Sequence, residues 1–166
     1  MKKPFLLTVL LLSIILTSSC SSNKEIQKPP KTNVLFTVSD LSEEEFQSIG
    51  TGDLVNPTKN DFKNIELIVE TQNFNDGNKA NITIPDFNNI LTKDNQNRYY
   101  YGSGFDQNPQ KERTTSERSF VFYSKGLKDT KAIKDYFTGI EVIISWQEEN
   151  DTVTMRYDLG EIIIFR

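Results

Sequence analysis

The sequence predicts a mainly β fold: an immunoglobulin-like antiparallel β-sandwich of seven or eight short strands, with one or two short helices in its connections. Three observations predict it. Apolar residues alternate with polar ones at a period of two in segment after segment, the pattern of strands with one face on a core. Turn residues separate these segments at fairly regular spacing, as in sandwiches. Helix start signals occur only twice. The same strands also suit a second architecture, an eight-stranded lipocalin-like barrel around a small apolar ligand.

Along the chain, Val34, Phe36 and Val38 alternate with Asn33, Leu35 and Thr37 and mark the first strand. In "LSEEEFQSIG", Ser42 and Glu45 have capping-box spacing and Leu41 can staple onto Phe46, which predicts a short helix ending at Gly50. Ile65, Leu67 and Val69 share a face of the next strand, with Glu66 and Glu70 on the other. "NFNDGNK" supplies turn residues, and "NITIP" reads as a strand stopped by Pro85. "RYYYGSG" and "RSFVFYS" bracket a polar loop from Asp106 to Thr115. Phe120 and Phe122 face opposite to Val121 and Tyr123, so that strand is expected to be covered on both sides. Asp129 caps a helix on which Ile133, Tyr136 and Phe137 share a face, with Gly139 as its terminator. In the C-terminal hairpin, Ile140, Val142, Ile144 and Trp146 answer Val153, Met155, Tyr157 and Leu159 across the turn "EENDT". "GEIIIFR" adds a last strand.

Composition excludes several function classes. The chain has 166 residues, 36% of them apolar, which is globular rather than disordered. Residues 33–166 hold 14 basic and 22 acidic side chains, a net charge of −8. That balance disfavours nucleic acid, whose phosphates need clustered Lys and Arg. It also holds the domain off an anionic surface. There is no histidine and a single cysteine. The commonest general base and metal ligand are therefore missing, along with any internal disulfide, CxxC pair or thiolate zinc site.

The N-terminus reads "MKKPFLLTVLLLSIILTSSC". Lys2 and Lys3 precede an apolar run from Phe5 to Leu16, and small residues follow. Twelve residues span about 18 Å as a helix, against a bilayer core of about 30 Å, so the run suits a signal-peptide core rather than a membrane span. "L-T-S-S-C" resembles the lipobox of bacterial lipoprotein precursors, with Thr17 in the place where that motif usually has Leu. The resemblance covers about the first 20 residues. It implies cleavage between Ser19 and Cys20, a diacylglyceryl thioether on the Cys20 sulfur and an acyl chain (palmitate in class) on its new N-terminus. Two acyl chains at about 0.8 kcal/mol per buried methylene suffice to hold a small domain on a membrane. The expected organisation is signal peptide 1–19, lipid-anchored Cys20 and flexible linker 20–32, and one β-sandwich domain 33–166. Pro29-Pro30 stiffens the linker.

Within the domain no catalytic motif emerges. Ser103 in "YGSGF" lacks the GxSxG elbow spacing and reads as a turn, and adjacent Ser124 and Lys125 on a strand point to opposite faces. "NFNDGN" fails as an EF-hand loop, because the third and twelfth positions would be Phe74 and Thr83; a weaker oxygen cage with Asp94 stays open. Glu141 and Glu161 read as solvent-facing. Tyr99, Tyr101 and Phe105 are the candidate binding residues: alternation places Tyr99 and Tyr101 on one face, where a ring and hydroxyl can stack on a sugar or anchor a partner. Packing is the ordinary use of such residues. The expected function is a monomeric, membrane-anchored, extracytoplasmic binding module for an envelope protein or polymer, without cofactor, metal or catalysis. The alternatives are the apolar-ligand barrel and a His-independent carboxylate hydrolase.

Overall fold

A computed structural model of the chain describes residues 29–166 except 53, 75–78, 93–96, 108–112, 126 and 128, and of residues 97–101, 105, 107 and 124 the backbone alone. Ser19 and Cys20, Asp94 and most of the "NFNDGN" stretch lie outside the described residues.

Among the described residues, eight strands form two sheets. β4 (Asn97–Gln107), β5 (Arg113–Ser124), β2 (Phe62–Gln72), β1 (Lys31–Asp40) and β8 (Ile163–Phe165) make one, in that order. β3 (Asn81–Thr83), β6 (Glu141–Glu148) and β7 (Asp151–Asp158) make the other. Leaving β8 aside, this is the order of constant-type immunoglobulin domains, in which strands A, B, E and D face C, F and G. The barrel is excluded: the strands split into two sheets with no ring closure. One part of the predicted pattern is corrected, because β8 runs parallel to β1 (Phe36 opposite Ile163) while the other pairs are antiparallel.

Burial follows the alternation. Phe36 and Val38 of β1, Ile65, Leu67 and Val69 of β2, Phe120 and Phe122 of β5, and Val142, Ile144 and Trp146 of β6 fill one core between the sheets. The β6–β7 register sets Val142, Ile144 and Trp146 opposite Tyr157, Met155 and Val153. The Thr32 hydroxyl bonds to that of Tyr157, linking β1 of one sheet to β7 of the other. Lys31 and Thr32, assigned to the linker by composition, are thus already strand, paired with Gln72 and Thr71. Strand β5 is covered on both sides as expected. Its outward Tyr123 joins Leu41 and Phe62 in a second small cluster, against which Phe46 and Ile49 pack.

Among the described residues, four α-helices occur where one or two are predicted. α1 (Glu43–Ser48) has the full capping box: the Ser42 hydroxyl accepts from the Glu45 N–H at 3.1 Å, and the Glu45 carboxylate accepts from the Ser42 N–H at 2.7 Å. α3 (Thr130–Phe137) is capped by Asp129, buries Ile133 and Phe137, and is followed by Gly139 at φ 82°. The two unpredicted helices are single short turns. α2 (Phe87–Thr92) follows Asp86 and buries Phe87 and Leu91 one turn apart. α4 (Leu159–Ile162) begins where the Asp158 carboxylate accepts from the Gly160 N–H at 2.9 Å, which ends the hairpin one residue before Leu159.

Candidate functional site

The candidate residues Tyr99, Tyr101 and Phe105 lie on β4, at the edge of the larger sheet. The β4–β5 register corrects their expected relation. Tyr99 pairs with Phe122 and Tyr101 with Val121, so the strand carries a bulge at Tyr100. An extra residue reverses the parity of everything beyond it. Phe122 belongs to the inner face and Val121 to the outer one. Position 99 is therefore in the inner register, whereas 101 and 105 (opposite Glu117) are in the outer register with Ser103. Ser103, expected in a turn, lies within the strand.

Two recesses lie against β5, one on each face of the sheet: the inner on the β4–β5 ladder, the outer on the β2–β5 pair. The outer one, about 500 Å³, lies between α1 and the strands. Glu45, Ser48, Ile49 and Gly50 form its wall, and Asn64, Ser119 and Val121 lie on its strand side. Ser119 and Val121 are the register partners of Ser103 and Tyr101, so β4 is the next strand of the sheet beyond this groove. The Ser42 N–H and hydroxyl both bond to Glu45 and hold its carboxyl below the usual range, so the wall keeps a negative charge.

The inner recess, about 410 Å³, is lined by Pro85 to Asn88 at the start of α2, by Gly102 to Gly104, and by Asp106, Arg118 and Phe120. Its geometry follows from an arginine at an inward position. Arg118 stands between Gly104 and the fully buried Leu67 in the register, where a charge has no place in the apolar core. Its side chain instead runs across Gly104. A Cβ on that residue would come within 2.6 Å of the Arg118 Cδ and 3.1 Å of its Nε, so glycine is what makes the path open. The guanidinium then meets Asp106 in a fork, with Nη1 to Oδ1 at 3.0 Å and Nη2 to Oδ2 at 3.2 Å, and also donates to the Glu117 carbonyl at 2.8 Å.

Asp106 is held below the ordinary carboxylate range, first by these Arg118 bonds and then by the Ser116 hydroxyl, against a smaller opposing effect of burial. An NMR pH titration should find it ionised to lower pH than an ordinary aspartate, and Arg118→Gln should move its titration back up. A carboxyl with a lowered folded-state pKa stabilises the fold above its unfolded value of about 3.9, and that contribution is lost as pH falls through the folded value. A stability profile of the Arg118→Gln variant should therefore converge on that of the unaltered chain in acid and differ above pH 4–5.

Asp86, Asn88, Asp106 and Arg118 were not among the sequence candidates. Their signal was the alternation Ser116, Arg118, Phe120, Phe122, which puts an arginine inward, together with a G-x-G inside a strand, where glycine marks close approach of another group. Glu141 is paired with Arg156 at 2.7 Å on the other sheet, and Glu161 is exposed on α4, away from both recesses. Among the described residues, no group of three His, Cys, Asp or Glu is arranged to hold a metal ion. Comparison of the chain with protein-family models, curated proteins and solved structures finds no match.

Proposed function

We propose that the chain is a bacterial lipoprotein, anchored through Cys20 to the extracytoplasmic face of the cell membrane, whose sandwich is a non-catalytic binding module. The β4–β5 ladder is its binding surface, and an envelope protein or polymer is its partner. The observation that carries this reading is the pair of recesses on the two faces of β5, the inner one lined also by β4, the strand that holds Tyr99, Tyr101 and Phe105.

The path of the chain supports it. The linker enters the sandwich at Lys31, at the start of β1, whereas the outer groove includes Asn64, the register partner of Ser39. Eight residues of strand separate those levels, about 27 Å at roughly 3.4 Å per residue. A tether at one end leaves the groove at the other, and the net charge of −8 keeps the domain off an anionic surface.

The chemistry of the recesses also supports binding over catalysis. Glycosidase-type hydrolysis needs one carboxyl with a raised pKa to serve as an acid. Asp106 is shifted the other way, and among the described residues no Asp or Glu is buried.

The test is a photo-cross-linking residue introduced at Ser119 in one strain and at Thr154, on the outer face of the smaller sheet, in another. Irradiation of whole cells should give a discrete adduct from position 119 and none from 154. Equal labelling from both positions, or none from 119, would sink the reading.

A further inference from the structure

The inner recess differs from the outer groove in what it offers a ligand. Its β4 wall is bare backbone at Gly102 and Gly104, so a bound group can approach the strand closely. Polar atoms surround that wall: the Asn88 amide and the Asp106 carboxylate, both on exposed residues, with Asp86 beside them. The Arg118–Asp106 fork leaves two thirds of the Asp106 side chain (64%) open to solvent. A carboxylate has about four acceptor sites, and Arg118 and Ser116 occupy three, so acceptor capacity remains on the solvent side.

The same recess is poor for other ligand classes. Its apolar members are Pro85, Phe87 and Phe120, and the two phenylalanines are only 5% and 3% exposed, their rings packed 4.8 Å apart. A lipid tail or an aromatic anchor of a protein partner finds no apolar slot of its own size. Charge excludes anions as the natural ligand: Asp86 and Asp106 outnumber Arg118, whose charge is already engaged by Asp106. What remains is a neutral ligand dense in groups that both donate and accept hydrogen bonds.

We propose that the inner recess is a binding site for a neutral glycan, a short run of uncharged sugar units whose hydroxyls donate to Asp106 and pair with the Asn88 amide and the Gly102–Gly104 strand. This rests on the reading that the β4–β5 ladder is the binding surface, and it names the ligand of that ladder's inner side. A cleft of about 410 Å³ is within the usual range for small-ligand sites.

The test uses the full lipidated chain in zwitterionic detergent micelles, titrated with two uncharged tetrasaccharides, one of glucose and one of N-acetylglucosamine, and followed by amide NMR. The expected result is saturable binding of at least one of them, with shifts centred on Asn88, Gly102 and Gly104. Asp106→Asn should weaken that binding about 10-fold or more, as loss of a hydrogen bond to a charged group does. Asn88→Ala, at an exposed position that carries no packing, should weaken it by a similar factor if Asp106→Asn proves to disturb the fold. Thr154→Ala should leave it unchanged. Absence of saturable binding, shifts confined to the α1 groove, or preference for an extended peptide over both saccharides would overturn the proposal. A position-119 adduct formed by a chain that binds no saccharide would refute this inference alone, whereas loss of both results would refute the broader reading with it.

Discussion

Phe137→Ala should lower the unfolding free energy by about 3–5 kcal/mol, the range for removing a fully buried phenylalanine ring. Phe137 has no exposed surface. It meets Phe36 edge-on at 5.0 Å and Phe122 at 6.4 Å, so it touches rings of β1 and β5 from its place on α3. Those contacts join the helix to the larger sheet, and the cavity left by alanine would be walled by groups that are themselves fixed in strands. Phe46, half-buried on α1 against the smaller cluster, provides the contrast: its alanine variant should lose clearly less. Equilibrium denaturation of the two variants against the unaltered chain checks both values. A Phe137→Ala loss near 1 kcal/mol would mean that α3 is not part of the core.

Gly160→Val should be comparably damaging for a different reason. A Cβ at Gly160 would lie 2.5 Å from the Thr138 Oγ1 and 2.7 Å from both the Thr138 Cα and N. Two of those atoms are backbone, at the turn where the Gly139 N–H donates to Asp158 at 2.8 Å, so the clash cannot be relieved by rotating a side chain. Overpacking typically costs about 1–3 kcal/mol and occasionally more, and a clash with backbone belongs at the upper end of that range. Gly104→Ala meets chiefly the flexible Arg118 side chain, and it should leave stability nearly intact while displacing the guanidinium from Asp106. At Gly50 an added Cβ meets nothing within 4 Å. Thermal melts of the three alanine or valine variants should therefore rank Gly160 well apart from Gly104 and Gly50.

These contrasts also show where sequence reasoning succeeds and where it stops. The core of the sandwich was legible because its physics is local: Phe36 with Val38, Ile65 with Leu67 and Val69, and Val142 with Ile144 each declare a face by period two alone. The α1 capping box was legible because Ser42 and Glu45 bond to each other across three residues. Helices α2 and α4 escaped because one turn with one cap is too short to show a helical period, and Leu159 fits the strand alternation as well as it fits the helix. The bulge at Tyr100 escaped because it depends on β5, which pairs with β4 across a loop. It moved Tyr99 and Tyr101 into opposite registers and so divided the sequence-derived site. The Arg118–Asp106 fork is likewise a product of pairing, since twelve residues separate its partners. Period two put Arg118 inward, but only the sheet register supplied Gly104 and Asp106 beside it.

The proposed binding sandwich sits on a proposed lipid tether, and that tether depends on one side chain. Fractionation of cells making the unaltered chain or its Cys20→Ala variant, with lipid labelling of both, is the most direct measurement. The unaltered chain should appear in the membrane fraction, labelled, with a mature N-terminal peptide that starts at Cys20 and carries diacylglycerol. The variant should be unlabelled and either leave the membrane or accumulate as a precursor that retains residues 1–19. A Cys20→Ala chain that stays in the membrane fraction with normal lipid label would contradict the account.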